Sequence, residues 1–521
     1  MLIVSQCGEN DKRVKVTELV EALSEIVVTA VESGQMAHEV ERQLWPGLQK
    51  LGHGLLEWYF ELLGPGDVGE EVHRDGQCLK RSAQPQRRPY TSVFGQTEIW
   101  RFTYNRGSKQ RIAYAPVDER AGLPKTSYSY LLQDWSQHLS TELSYQRLQS
   151  TLECFLGFKL SVSALEQMNT QVESTVEPWW DEQPLPLLAP VAADQVTVLS
   201  ADAKGVVVRS GATETVLAGR SQSASGPSPG KCKMAVLGAA YTVSAWKRTP
   251  EQVLGALFGE TLSATTALKA NDADYAKQRP KPCHKHVRAA LSRQELGQPG
   301  HATAVIFPWL NDQLQQRDPH QQCPCVLLID GQPTLWDQAA AHLKRTDRIE
   351  ILDLLHALGY FWEAVHLFHS PGTLQAVKLM EFLSLALLEG KGLSALTWLA
   401  NQAPEHGLTQ AQRDELAKIR RYFETQRERI HYDQYLAQGL PIASGVIEGA
   451  CRHVVNDRLN RTGMRWTLEG AQAMLNLRCV AINGLWDEMM ADHIRRETER
   501  LYPHRAANDP VMLDIPQKIA A

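Results

Sequence analysis

Three acidic residues far apart in the sequence carry the chemistry that matters most. Asp202 closes the apolar run VTVLSAD, Asp330 closes CPCVLLID, and Glu448 opens a segment otherwise crowded with arginine and small residues. Hard divalent cations take carboxylate oxygens, and two ions about 3.5–4 Å apart activate an attacking hydroxyl and stabilise the leaving oxygen of a phosphoryl transfer. Asp202, Asp330 and Glu448 are therefore candidate catalytic residues and ligands for two Mg²⁺ or Mn²⁺ ions per active site. A lone aspartate at a strand end is more often a turn or cap residue, so the reading rests on the three together. Beyond Glu448 lie Arg452, His453, Arg458, Arg461, Arg465 and Trp466. Arginine suits bidentate phosphate contact, and Trp466 can stack on an unpaired base, which makes this a candidate DNA-contacting stretch. The alternative is a solvated basic helix with Trp466 in the core.

The elements that must position these residues follow from periodicity. Apolar residues at i, i+3, i+4 predict a helix over 14–33 and a second over 36–63, with Leu44, Leu48, Leu51, Leu55 and Leu62 on one side and Pro46 starting or kinking it. Residues 70–112 alternate as strands, with Arg87, Arg88, Arg101, Arg106, Lys109 and Arg111 interspersed, either as a DNA-contacting module or as a plain hairpin with solvated arginines. Residues 127–177 read as helix, Gly157 turn, helix, with Ser161 or Ser163 as N-cap, the outline of a helix-turn-helix. A proline-rich linker follows. From residue 195 strands dominate (QVTVLSADAKGVVVR, KMAVLGAAYTVSAWK, CVLLID and RIEILD), with a Gly/Ser/Pro-rich loop over 219–231, and 357–438 is helical.

These readings predict a multidomain α+β chain. Its parts are an N-terminal helical region (1–66), a β-rich basic module (67–126) and a helix-turn-helix-like region (127–180). An RNase H-like α/β catalytic core (190–356) follows, interrupted by an all-helical insertion (357–440) and resumed by C-terminal helices (441–500) before a tail (501–521). The first three parts would form a DNA-binding region.

Bulk properties narrow the class without fixing it. At 521 residues, 43% hydrophobic and 22% charged, the chain has an ordinary globular composition. Its net charge of −5 hides a basic segment in which Arg452, Arg458, Arg461, Arg465 and Arg478 face Glu448, Asp457 and Glu469. Nine cysteines without a CxxC pair, and an N-terminus without an apolar signal core, point to a cytoplasmic protein. No apolar run reaches the ~18–20 residues of a membrane span. Cys323-Pro-Cys325 and Cys283-His284-Lys285-His286 are metal-like at first sight, yet neither alone gives a tetrahedral ligand spacing.

The segment GLPIASGVIEGACRHVVNDRLNRTGMRWTLEGAQAMLNLR resembles the C-terminal block of bacterial insertion-sequence transposases of the ISKra type, Asp-Asp-Glu enzymes related to the Mutator superfamily. The resemblance continues through TSVFG (91–95), AVLGAAYT (235–242), LIDGQPTLW (328–336) and DLLHALGYFWEA (353–364). It implies that Asp202, Asp330 and Glu448 are the catalytic acids. It also implies that Asp353 and His356 form the Asp-x-x-His signature after the second acid, and that DNA, as element ends and target, is the partner of a homo-oligomer. The first acid departs from the usual Asp-Gly context, standing in Ala201-Asp202-Ala203-Lys204-Gly205, which predicts altered turn geometry with the chemistry kept. Asp353 rivals Asp330 as second ligand because it too closes an apolar strand. Asp330 is preferred, since Asp353 already has His356 one helical turn away. That pair would orient a flanking DNA end, support the metal shell, or make a structural contact. An inactive DNA-binding relative and an RNase H-like nuclease without strand transfer remain the competing functions.

Overall fold

The computed structural model describes residues 12–107, 112–182, 194–209, 231–259, 279–292, 301–461 and 463–505. Lys109, Arg111, most of the proline-rich linker, the loop 219–230 and most of the tail lie outside these. The protein is mixed α/β and divides into two compact units, Met1–Asp181 with Leu485–Ala521, and Glu182–Gly484.

In the first unit a helical hairpin, Lys12–Glu32 and Ala37–Leu63, precedes β1 (Glu71–Arg74), β2 (Gln77–Arg81), β3 (Gln86–Ser92), β4 (Gly95–Arg101) and β5 (Tyr104–Asn105). Pro46 sits inside the second helix. Strands β1, β2 and β5 form one small sheet, and β3 and β4 pair as a hairpin. Several of the region's arginines pair with acids, Arg88 and Arg101 in largely buried contacts and Arg87 in an exposed one. Arg88 and Arg101 both reach Asp118 at 2.6 Å, Arg74 reaches Glu119 at 2.6 Å, and Arg87 pairs with Glu98 at 2.7 Å. Helices Tyr130–Ser140, Tyr145–Leu156 and Val162–Glu173 then enclose Leu132, Leu148, Leu152, Leu165 and Met168. Gly157 ends the middle helix at φ +74°, the left-handed region that glycine tolerates, and the Ser161 hydroxyl caps the next by accepting from the Ala164 N–H.

The last helix, Trp486–Leu501, belongs to this unit and not to the C-terminal part of the catalytic core in which the sequence reading placed it. Its apolar face explains why. Trp486 stacks on His138 at 4.6 Å and donates its indole N–H to Asp134 at 2.7 Å, while the His493 ring meets the Thr175 hydroxyl at 2.9 Å.

The second unit is built on β6 (Gln195–Val208), β7 (Lys231–Ser244), β8 (Cys283–Leu291), β9 (Cys325–Ile329) and β10 (Ile349–Leu352), in the spatial order β10-β9-β6-β7-β8. The first three strands form an antiparallel meander, and β9 and β10 extend it in parallel beyond β6. Alternate residues of β6 face opposite layers. Val196 and Val198 join a core with Tyr241, Leu328 and Phe361. Leu199 and Ala201 join another with Ile306, Phe307 and Leu310 of the helix His301–Arg317. The free edge of β8 is closed by side-chain amides: Gln472 accepts from Leu291 N–H, and Asn483 both accepts from and donates to the backbone of Val287. That covers the exposed edge which would otherwise template pairing with another chain.

The helices Leu354–Phe368, Leu374–Leu388, Gly392–Gln402, Gln410–Thr425 and Tyr432–Gln438 share one continuous core with the sheet face. The helical block expected over 357–440 therefore packs directly on the strands, since Leu354, Ala357, Leu358, Phe361, Ala364 and Val365 recur at helical spacing toward the sheet. Strand β8 was not anticipated, and it removes the metal-like motif. Cys283 is exposed at its start, and the buried His286 ring faces the Gln313 amide at 3.2 Å. Cys323 and Cys325 are buried.

His286 gives the fold an acid sensitivity. Burial, then the positive charge of Arg317 and the neighbouring His284, hold its pKa down to about 4, with only the Gln313 contact working the other way. An unfolded His286 takes up its proton near pH 6.5, so between these values the unfolded chain binds more protons and acid destabilises the native state. The loss expected from this residue between pH 7 and pH 4 is roughly 3 kcal/mol. Urea denaturation at both pH values should show His286→Gln losing less stability than wild type on acidification; parallel losses would refute the assignment.

Candidate active site

Ladder register puts three aspartates at one level. Ala201 pairs with Ile329 across β6 and β9, and Leu352 pairs with Ile329 across β10 and β9, so Asp202, Asp330 and Asp353 each occupy the next position on three adjacent parallel strands. This is the carboxyl end of the parallel part of the sheet, where α/β folds gather functional groups.

Asp202 lies within β6 and not at a strand end: the strand runs unbroken to Val208, with Asp202 opposite Leu237 and Ala203 opposite Val236. The altered turn expected from its Ala203 neighbour is absent because there is no turn there. Asp202 is 7% exposed, and its Oδ1 accepts from the Ala203 N–H at 2.6 Å. Its Oδ2 accepts from the Cys451 thiol at 3.2 Å and lies 3.6 Å from the Lys204 ammonium. Asp330 follows β9, with Oδ1 accepting from the Gln332 N–H at 3.0 Å in a tight turn. The intervening Gly331 is required by space, since a Cβ there would fall 1.9 Å from the Tyr422 hydroxyl. Burial, followed at a distance by the charges of Asp202 and Asp353, raises the Asp330 carboxyl above its usual range.

Asp353 is fully buried and both its oxygens are engaged. It caps the helix Leu354–Phe368, with Oδ2 accepting from the His356 N–H at 3.1 Å and facing His356 Nδ1 at 2.7 Å. Its Oδ1 accepts from the Ser444 N–H at 2.7 Å, and Leu354 N–H donates to Ile442 carbonyl at 2.9 Å. These bonds fix the segment that enters the short helix Gly445–Ala450 and so bring Glu448 to the strand ends. Hydrogen bonding to Asp353, against the opposing effect of burial, raises His356. Glu448 is raised by burial first and then by Asp353. Ligand atoms of Asp353, His356 and Glu448 lie within 4.8 Å of one another. Within that group Asp353 accepts three hydrogen bonds, from the His356 backbone and ring and from the Ser444 backbone.

After Glu448 the chain forms a π-helical turn, Cys451–Asn456, which leaves carbonyls without their usual helical partners. The buried Arg478 guanidinium donates to the carbonyls of His453 and Val454. The widened turn also sets Cys451 against Asp202. Of the candidate DNA contacts, Arg452, His453, Arg461 and Arg465 are exposed, with His453 Nδ1 at 2.9 Å from Asp457. Arg458 and Trp466 are not. Arg458 is 1% exposed, with its guanidinium 4.8 Å from the Trp466 ring centre. Trp466 is 8% exposed, donates its indole N–H to Leu459 carbonyl at 3.1 Å, and extends the end of β6 through a bridge to Val208. Both are core residues, because an aromatic ring and a guanidinium face bury more surface against each other than against solvent.

Sequence reasoning missed Lys204, Tyr422, Ser444 and Cys451. The small-residue, thiol-containing stretch after Glu448 was the one signal that could have drawn attention to Cys451. No protein-family model and no curated protein matches this chain. Among the described residues, no helix is long and apolar enough to cross a membrane.

Proposed function

We propose that the protein is a DNA transposase of the Asp-Asp-Glu class, resembling the ISKra type, which binds the ends of its element, cleaves there and joins 3′-ends to target DNA. The observation that carries this reading is the convergence of Asp202, within β6, with Asp330 and Glu448 at the carboxyl end of the neighbouring parallel strands, from positions more than a hundred residues apart. An antiparallel meander continued by two parallel strands is the sheet expected of an RNase H-like core, and it supports the same reading.

The donor set fits a hard divalent cation. Asp330 and Glu448 are raised by burial and by neighbouring acids, the condition that a metal relieves, and the carboxylates and the His356 imidazole are donors such a cation accepts, beside the Cys451 thiol on Asp202. Asp202, Asp330 and Glu448 would hold Mg²⁺ or Mn²⁺, which when bound supplies Lewis-acid stabilisation of phosphate charge. Asp353 holds the His356 ring and the Ser444 backbone, and so keeps Glu448 at the strand ends. Arg452, His453, Arg461 and Arg465 supply exposed cationic or hydrogen-bonding groups for a DNA backbone beside the acids.

The test is incubation of the full chain with labelled duplex bearing the inverted repeats that flank its gene, in Mg²⁺ or Mn²⁺. Nicks with 3′-hydroxyl ends, and joined products from pre-cleaved ends, are expected. Cleavage without joining would leave a nuclease, and no cleavage with either cation would overturn the reading.

A further inference from the structure

The helical hairpin of the first unit leaves an apolar face uncovered. Of the first helix only Val16 and Ala30 are buried, and of the second only Phe60 and Leu63. Leu48, Leu55 and Leu62 stand seven residues apart and are 45–52% exposed, and the partly buried Leu44, Leu51 and Trp58 fill the intervening positions. The sequence pattern set these leucines on one side of the helix, and the residues the structure buries, Phe60 and Leu63, lie on another.

Two contacts orient it. Gly47 approaches the Leu23 side chain and Gly54 approaches Leu19 and Val16, so the partner helix lies on the glycine side. Gly52 meets Phe94, and Trp45 donates its indole N–H to Phe155 carbonyl, so the rest of the unit lies on another side. At about 100° of rotation per residue, the row from Leu44 to Leu62 occupies the remaining face. By the same rotation Val20, Val27 and Val31 of the first helix, 46–79% exposed, border the row on the same side of the antiparallel pair.

We infer that this face is the interface between two copies of the chain, joined isologously through the row Leu44, Leu48, Leu51, Leu55, Trp58 and Leu62. The alternating four- and three-residue steps are those of a coiled-coil seam, whose knobs enter holes on a facing helix. Along the flanks stand Gly47, Gly54 and Glu61 on one side and Trp45, Gly52 and Tyr59 on the other, and Glu41, seven residues before Leu48, ends the row, so the seam between Leu44 and Leu62 is apolar with an acid near each end. The acids Glu18, Glu21, Glu25 and Glu32 fall on the far side of the first helix, and no cation lies in the seam to hold a nucleic acid. The leucines and valines leave on the order of 600 Å² of apolar surface, at the upper limit for a monomer's largest patch and near the ~800 Å² per partner of a standard interface. The interface stands whether or not the carboxylates cut DNA.

Light scattering of the full chain at micromolar concentration should give twice the chain mass. The double variant Leu48→Glu, Leu55→Glu should weaken the dimer about 100-fold, because each carboxylate would be buried without a partner, and should retain its circular dichroism and melting temperature. A monomeric wild type, or a dimer indifferent to the double variant, would overturn the inference. So would dimerisation that appears only after residues 1–11 are removed, because that segment would then be the true occupant.

Discussion

Asp202→Asn, Asp330→Asn and Glu448→Gln are each expected to reduce cation-dependent DNA cleavage roughly a thousandfold or more, with DNA binding in the absence of metal retained. Each change removes the charge of a proposed metal ligand with almost no change of shape, and several kcal/mol of lost transition-state stabilisation costs a factor of ten for every ~1.4 kcal/mol. A thermal shift separates a metal effect from a folding effect. Mn²⁺ should raise the melting temperature of wild type by mass action and do so much less in Asp330→Asn. Charge reversal on the exposed side, as in Arg452→Glu or Arg465→Glu, should instead weaken DNA binding and flatten its salt dependence, because phosphate contacts release counterions. Variants that lose metal stabilisation but cut normally would remove these acids from the chemistry.

The strands carrying these acids were legible because continuous apolar runs bounded by polar residues are what a doubly covered sheet requires. Runs containing Val198, Leu199, Leu327 and Leu328 announced themselves, and Asp202 and Asp330 stood out as charges inside or just beyond them. That all three aspartates share one level is a matter of register, which depends on pairing between distant strands and leaves no mark in any one of them. The fate of the arginine-rich segment was equally hidden. Arg458 and Arg465 differ little by composition, yet one lies beneath the Trp466 ring and the other in solvent, because Trp466 bridges to Val208 at the end of β6. The helix Trp486–Leu501 shows the converse error. It was counted among the C-terminal helices of the core, but which partner its apolar face meets is a tertiary choice, made by His138 and Asp134 more than three hundred residues upstream.

Asp353 and Asp330 should separate most sharply in stability. Asp353→Ala is expected to cost about 3 kcal/mol, on the order of 5 °C in melting temperature, because it strands the Ser444 and His356 N–H donors in a buried site and removes a helix cap. Asp330→Asn should be neutral or slightly stabilising without metal, since it relieves repulsion among carboxylates and keeps the oxygen that accepts from Gln332. Calorimetry on metal-free protein gives the first comparison and cleavage assays give the second. The expected pattern is a destabilised Asp353 variant whose residual activity follows its folded fraction, beside a stable Asp330 variant that does not cut. The opposite pattern, a stable inactive Asp353→Asn with an active Asp330→Asn, would transfer the second ligand to Asp353.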